Sequence, residues 1–214
     1  MRNLYTIFII ALFALLFHPT KAQTFDNVNI ADASSVCSIA QDEQGMLWFG
    51  TDRGLYSYDG YRTIPHNTDT DGSPVYTRIH SIQMLHNMLY LATERGLLVY
   101  DIRRGRYTQL AQATNGEIRA VAMYNGRLWF GGAQGLFSLN MQTGTTRTEN
   151  TRLHNVYSLL ATKHGLLIGT ISGLTLLSNG KTIPVNICKG VQPLVNALLN
   201  DGDAAWIGTE GALY

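Results

Sequence analysis

From residue 36 the chain runs in short apolar bursts, each closed by glycine, asparagine or aspartate. In "VCSIAQDEQGMLWFGTDRGLYSYDG" the residues Val36, Ser38 and Ala40 alternate with Cys37 and Ile39, which is the period of a β-strand. Asp42-Glu43-Gln44-Gly45 is turn chemistry, "MLWFGT" reads as a second strand and "GLYSYD" as a third. Asp59-Gly60 makes another turn, and "YRTIPHN" supplies a weaker outer strand. No stretch past residue 24 sustains helical periodicity, so the pattern predicts an all-β fold.

The pattern repeats. Related segments start near residues 36, 79, 118, 156 and 195, and the glycine of "FGT" recurs as Gly50, Ala92, Gly131, Gly169 and Gly208, at steps of 42, 39, 38 and 39 residues. Equivalent turns carry Gly105, Asn125-Gly126, Gly144, His164-Gly165 and Asn179-Gly180, residue types that tolerate a positive φ. A period near 40 with four strands in each unit predicts the blades of a β-propeller, with about five blades present in a partial or open propeller. Trp48, Trp129 and Trp206 share one repeat position with Tyr90 and Leu167, and their recurrence within a strand predicts packing between blades.

The stretch from Asp42 to Gly60 resembles the two-component regulator propeller repeat, whose pattern is D-x-x-G-x-L-W-x-G-T-x-x-G-L-x-x-Y-D. The likeness extends over about residues 24–214, with departures at Ala92, at "GGAQGL" in the third copy and at Ala212 in the fifth. The resemblance implies seven-bladed propellers, often two in tandem, that form the periplasmic sensor of hybrid two-component histidine kinases. It further implies recognition of oligosaccharides from a polysaccharide under degradation, and control of the genes that use it. Residues 23–214 amount to barely five such blades, so the expectation is a truncated or partial sensor lacking the kinase. The alternative is a five-bladed ring closed by "TFDNVNI", Thr24 to Ile30, acting as the outer strand of the last blade.

Composition changes the picture mainly at the N-terminus. Arg2, an apolar run from Tyr5 to Phe17, His18-Pro19 and Thr20-Lys21-Ala22 together read as a signal peptide, residues 1–22, cut before Gln23. The run falls short of the roughly 20 residues that span a bilayer, so an exported, periplasmic product with no membrane contact after cleavage is expected. Without Arg2 and Lys21 the chain has 14 basic against 15 acidic residues, a balance that gives no support to nucleic-acid binding. Cys37 and Cys188 lie in distant repeats and are expected as separate buried thiols.

In a blade whose first strand lies at the inner edge, the loop leading into that strand and the loop between strands two and three emerge on one face. Those loops vary between copies while the strands do not, as expected if the repeat is scaffold and its loops tune a site. They supply the candidate ligand-binding residues Asp52, Arg53, Arg78, Glu94, Arg95, Glu117, Gln134 and Asn155. Guanidinium donors beside carboxylate acceptors suit sugar hydroxyls or acidic sugars, and solvated turn charges are the plainer reading of each residue alone.

No metal or cofactor is expected. Asp69-Thr-Asp71-Gly72 and Asp201-Gly-Asp203 lack the downstream glutamate of a calcium loop, and the six histidines show no ligand spacing. A five-bladed glycoside hydrolase would place carboxylates near the axis, but the first strands "VCSIA", "IHSIQ", "IRAVA", "VYSLL" and "VNALL" carry none. The expected function is therefore a non-enzymatic sensor that binds an oligosaccharide, with a protein-binding scaffold as the alternative. A second copy or the missing blades are the other expected partners.

Overall fold

The computed structural model describes residues 27–30, 33–110, 116–150, 153–202 and 204–214; the signal segment expected at 1–22 lies outside them. The first sheet holds β1 (Val36–Gln41), β2 (Leu47–Thr51), β3 (Gly54–Tyr58) and β4 (Thr63–Pro65). The second holds β5 (Ile79–Leu85), β6 (Met88–Thr93), β7 (Gly96–Asp101) and β8 (Arg106–Gln109). In the third are β9 (Ile118–Tyr124), β10 (Arg127–Gly132), β11 (Gly135–Asn140) and β12 (Thr146–Asn150). In the fourth are β13 (Val156–Thr162), β14 (Gly165–Thr170), β15 (Gly173–Ser178) and β16 (Lys181–Val185). The fifth has two described strands, β17 (Val195–Asp201) and β18 (Ala204–Thr209), with Leu213 bridging back to Gly208.

Each sheet is an antiparallel meander, because every connection is a short turn. Asn125-Gly126 and Asn179-Gly180 show the local cause, with both residues of each pair at positive φ between 48° and 73°. Two-residue turns of this kind carry the twist that the flanking strands need. The first strands β1, β5, β9, β13 and β17 touch in succession, and β5, β9, β13 and β17 also pack on the second strand of the sheet before them. The sheets therefore fan out from a shared inner edge, the open-propeller arrangement that the repeat predicts.

Apolar cores lie between the sheets. Trp48 and Leu55 pack with Leu89, Leu91 and Tyr100 of the second sheet, whose Ala92 and Leu97 in turn meet Phe130 and Phe137 of the third. Trp129 and Leu136 meet Leu166, Ile168 and Leu177 of the fourth. The aspartate of the repeat has a role here: Asp42 accepts the Trp48 indole N–H at 3.1 Å, and Asp201 accepts that of Trp206 at 3.0 Å. A tryptophan packed between sheets thus keeps its one polar group satisfied.

Between sheets, an apolar residue at the start of each first strand sits on the repeat glycine of the preceding sheet. A Cβ built on Gly50 would lie 2.7 Å from Ile79 Cγ2, on Gly131 2.8 Å from Val156 Cβ, and on Gly169 2.7 Å from Val195 Cγ1. Only glycine leaves room for that approach. Gly208 meets nothing from a following sheet, its nearest neighbour being Ala197 of its own.

A polar tie joins the first two sheets. The His66 ring lies 5.0 Å from that of Trp48; its Nε2 is 2.8 Å from the Ser57 hydroxyl and its Nδ1 2.9 Å from that of Tyr100. Tyr107 donates to the His66 carbonyl at 2.6 Å. Burial pushes the His66 pKa down, so the imidazole sits neutral between two hydroxyls.

Two sequence expectations are corrected. Trp206 is 45% exposed while Trp48 and Trp129 are 3% and 7%, because among the described residues no further sheet packs on it. Cys37 is an exposed free thiol rather than a buried one, since among the described residues no sheet packs on the inner edge where it stands. Of "TFDNVNI" only residues 27–30 are described, and the Asn29 carbonyl accepts a bond from Thr63 Oγ1 of the first sheet at 3.0 Å.

Alanine at Gly131 is expected to cost about 1–3 kcal/mol by overpacking against Val156, whereas alanine at Gly208 stays within about 0.5 kcal/mol. Urea unfolding of both variants in dilute solution checks the contrast. Because His66 is neutral when folded but protonates in the unfolded chain below its usual pKa of about 6.5, stability is expected to be full above that pH. It is then lost as the pH falls toward the lower folded value. Thermal midpoints between neutral and mildly acidic pH should show this loss, and it should shrink in His66→Gln.

Candidate functional site

The first strand of every sheet is bulged at its second residue. Val36 pairs with Thr51 and Ser38 with Gly50, which leaves Cys37 between them unpaired; the same slip falls at Ile79/Ser81, Val156/Ser158 and Val195/Ala197. In the third sheet it lies between Gly131 and Gly132, opposite Ala120 and Ile118. The extra residues are thus Cys37, His80, Arg119, Tyr157 and Asn196, one from each inner strand. A bulge re-aims its extra side chain, and the fold repeats that device along the inner edge.

Three of these form a connected group with a lead-in residue. Arg119 Nη2 donates to Glu117 Oε2 at 2.8 Å, and the Arg119 guanidinium lies 4.6 Å from the centre of the Tyr157 ring. His80 Nε2 stands 3.1 Å from Glu117 Oε1, but without the alignment of a hydrogen bond, and Arg119 Nη1 is buried with no partner. The Arg119 hydrogen bond, followed by the charges of Arg119, His80 and Arg78, holds the Glu117 carboxyl below the usual carboxylate range. Burial holds His80 below its ordinary pKa against the opposing pull of Glu117 and Glu94. Arg78 and Glu94 stand apart at 3.6 Å as a half-exposed ion pair, the weak kind that solvent screens. The arrangement offers a guanidinium with a spare donor, an ionised carboxylate, an imidazole and an aromatic face.

The eight residues expected from the sequence divide accordingly. Arg78, Glu94 and Glu117 belong to one neighbourhood, linked electrostatically through His80 and Arg119. Asp52 is occupied in its own sheet, accepting Ser34 Oγ at 2.6 Å and the backbone N–H groups of Ser34 and Ser35 at 3.1 and 3.0 Å. Those bonds, led by the Ser34 hydroxyl, pull its pKa down to about 2 and use its acceptors to pin the lead-in loop.

Arg53 lines a separate groove of about 540 Å³ with Tyr56, Asn67 and Tyr76. Its backbone N–H is held by Thr51 Oγ1 at 3.0 Å, a turn lock repeated by Thr93 under Arg95 and Thr170 under Ser172. The Arg95 carbonyl accepts from Gln109, and the Gln134 amide lies against Gly116. Asn155 adopts a left-handed φ of 51° and donates its backbone N–H to the Ala133 carbonyl at 3.4 Å.

The sequence reading passed over His80, Arg119 and Tyr157. Their signal was the second position of each inner strand, where Cys, His, Arg, Tyr and Asn succeed one another beside apolar neighbours that barely change. The paired aspartates are structural: Asp69 accepts the Tyr107 backbone N–H at 3.1 Å, Asp71 accepts Ser73, and Asp201 holds Trp206, while Asp203 lies outside the described residues. Among the described residues no group of three or more His, Cys, Asp or Glu side chains could hold a metal ion.

Residues 31–53 match the family described as Two component regulator propeller. The chain is similar to the extracellular domain of BT4673 from B. thetaiotaomicron, named as a hybrid two component system in one solved structure and as a one component system in another. Identity is 35% and 36% over 90% and 89% of this chain, with a TM-score of 0.77 in each case. The extracellular domain of the hybrid two component system BT3049 from the same organism shares the fold, at 23% identity over 85% of the chain and a TM-score of 0.69. This chain spans 27% and 28% of the length of the BT4673 chains and 28% of BT3049. No curated protein matches it. With its repeats, its sheets and this likeness in agreement, the chain belongs to the two-component regulator propeller family.

Proposed function

We propose that the chain is a ligand-sensing propeller segment of an exported, periplasmic receptor that signals through a two-component pathway, and that its ligand is an oligosaccharide. The observation that carries the reading is the Glu117 group at the inner edge, where Arg119 Nη1 is buried without a hydrogen-bond partner and His80 Nε2 meets only the Glu117 carboxylate, at 3.1 Å. Buried polar atoms left unpaired carry a desolvation cost that a ligand rich in hydroxyls relieves. Tyr157 beside Arg119 adds the aromatic face on which a sugar ring packs, and the guanidinium offers planar paired donors.

The same group speaks against hydrolysis. A glycosidase acid needs a carboxyl whose pKa is raised, and that of Glu117 is lowered by Arg119. The likeness to the BT4673 extracellular domain supports an exported sensing role, and the kinase or regulator that it would drive lies beyond the residues compared.

Calorimetric titration with a panel of plant and host oligosaccharides tests this. One class should bind, Arg119→Ala and Glu117→Gln should each weaken it by at least about tenfold, equivalent to about 1.4 kcal/mol, and no reducing sugar should be released. Binding of no member of the panel, or binding indifferent to both substitutions, would remove the basis for the reading.

A further inference from the structure

Between the first two sheets the outer part of the gap is filled by two rings. Tyr100, the fifth residue of β7, and Tyr107, which pairs with it from β8, pack with Trp48. The same two positions are Leu139 and Thr146 where the third sheet faces the second, and Leu177 and Thr182 where the fourth faces the third. These smaller side chains leave open clefts of about 320 and 310 Å³. The two clefts differ in chemistry. The positions that hold Ser57 and His66 in the first sheet hold Val99 and Leu110 in the second, and Ser138 and Glu149 in the third. In the third sheet Arg127 Nε and Nη2 donate to Ser138 Oγ at 2.8 and 2.6 Å, the Ser138 hydroxyl donates to Glu149 Oε1, and Arg127 Nη2 stands 3.5 Å from that oxygen. All three residues belong to one sheet, so these bonds do not cross the junction as the His66 bond to Tyr100 does. Among the described residues they leave Arg127 Nη1 and Glu149 Oε2 without a bond, in side chains that line the cleft.

We propose that the cleft between the third and fourth sheets binds a single uncharged sugar ring through two neighbouring hydroxyls. A hydroxyl both donates and accepts, so one can accept from Arg127 Nη1 while the next donates to Glu149 Oε2. The guanidinium and the carboxylate already balance each other, and a charged ligand would bring a charge that nothing in the cleft offsets. Trp129, Leu136 and Leu177 supply an apolar lining for the C–H face of the ring. A volume of about 310 Å³ lies at the lower end of the range for ligand pockets, which limits the occupant to one ring. The cleft opens between the turns that carry Asn125 and Asn179, at the end of the strands opposite Glu117. It is therefore a separate site, and it does not rest on the reading of the inner edge.

Nitrogen–proton correlation spectra of the labelled chain test this, during titration with the methyl glycosides of glucose, galactose and mannose. Methyl glucuronide and glucosamine serve as charged comparisons. At least one neutral glycoside should move the Trp129 indole peak, identified by its loss in Trp129→Phe, and leave the Trp48 peak in place. Glu149→Gln should weaken that binding at least about tenfold, by removing a charged acceptor. Thr182→Tyr, at an exposed position, puts back the ring that fills the first junction and should abolish the shift. Either variant alone is informative should the other fail to fold. Arg119→Ala at the inner edge should leave the titration unchanged, which keeps a failure here distinct from a failure of the oligosaccharide reading. The proposal is overturned if no neutral glycoside moves the Trp129 peak, or if the shift persists undiminished in Glu149→Gln or Thr182→Tyr. Tighter binding of the glucuronide or the amino sugar overturns it as well.

Discussion

Neighbouring sheets come closest where a β-branched side chain opening one first strand presses on the glycine of the second strand before it. Ile79 on Gly50, Val156 on Gly131 and Val195 on Gly169 are three instances of one contact. Because a Cβ at any of these glycines would meet its neighbour at under 3 Å, the contact fixes how near the inner edges stand. The rest of each junction follows from that spacing. Trp48 and Trp129 fill the wider gap farther out, where an indole fits and where an aspartate or a backbone carbonyl can reach its N–H. At the second junction the seat is Ala92, fully buried in the core that it shares with Ile118.

The same inner edge supplies the polar group. A strand pressed against its neighbour by its first residue and paired with its own sheet from its third has to place the second somewhere, and the bulge turns it to the side. Packing and display are therefore coupled. The apolar residue that joins the sheets also positions the side chain next to it, so Ile118 and Val156 indirectly set where Arg119 and Tyr157 stand. Glu117, one residue before the strand, then finds Arg119 and His80 within reach because their strands are neighbours in the fan.

Much of this was legible in the sequence. Turn glycines, the period near 40 and the strand alternation specify a four-stranded unit, and the observed sheets have that form. The motif's threonine and aspartate were visible as a pattern without a cause, and the structure supplies it: Thr51 locks the turn around Arg53, and Asp42 holds the Trp48 indole. Candidate site residues were less legible. Asp52 carries the charge and loop position of a ligand contact, yet its acceptors are taken by Ser34 and Ser35. His66 has no ligand spacing in sequence, but in space it ties Ser57 to Tyr100 across two sheets.

By itself the sequence determined the unit: where strands run, where they turn, which face is apolar and to which repeat family they belong. Those are local properties, set by side-chain period and by backbone preferences at glycine and asparagine, and they hold wherever the unit is placed. Only the tertiary structure decided what each repeated position does, because that depends on having a neighbour. Trp48 and Trp206 occupy the same place in their units, and one is core while the other faces water. Glu117 and Asp52 lie near equivalent loops, and one gathers an arginine and a histidine from adjoining inner strands while the other caps its own sheet. A repeat encodes a surface that fits its copies, and burial, charge and function at each position follow from which copies stand on either side.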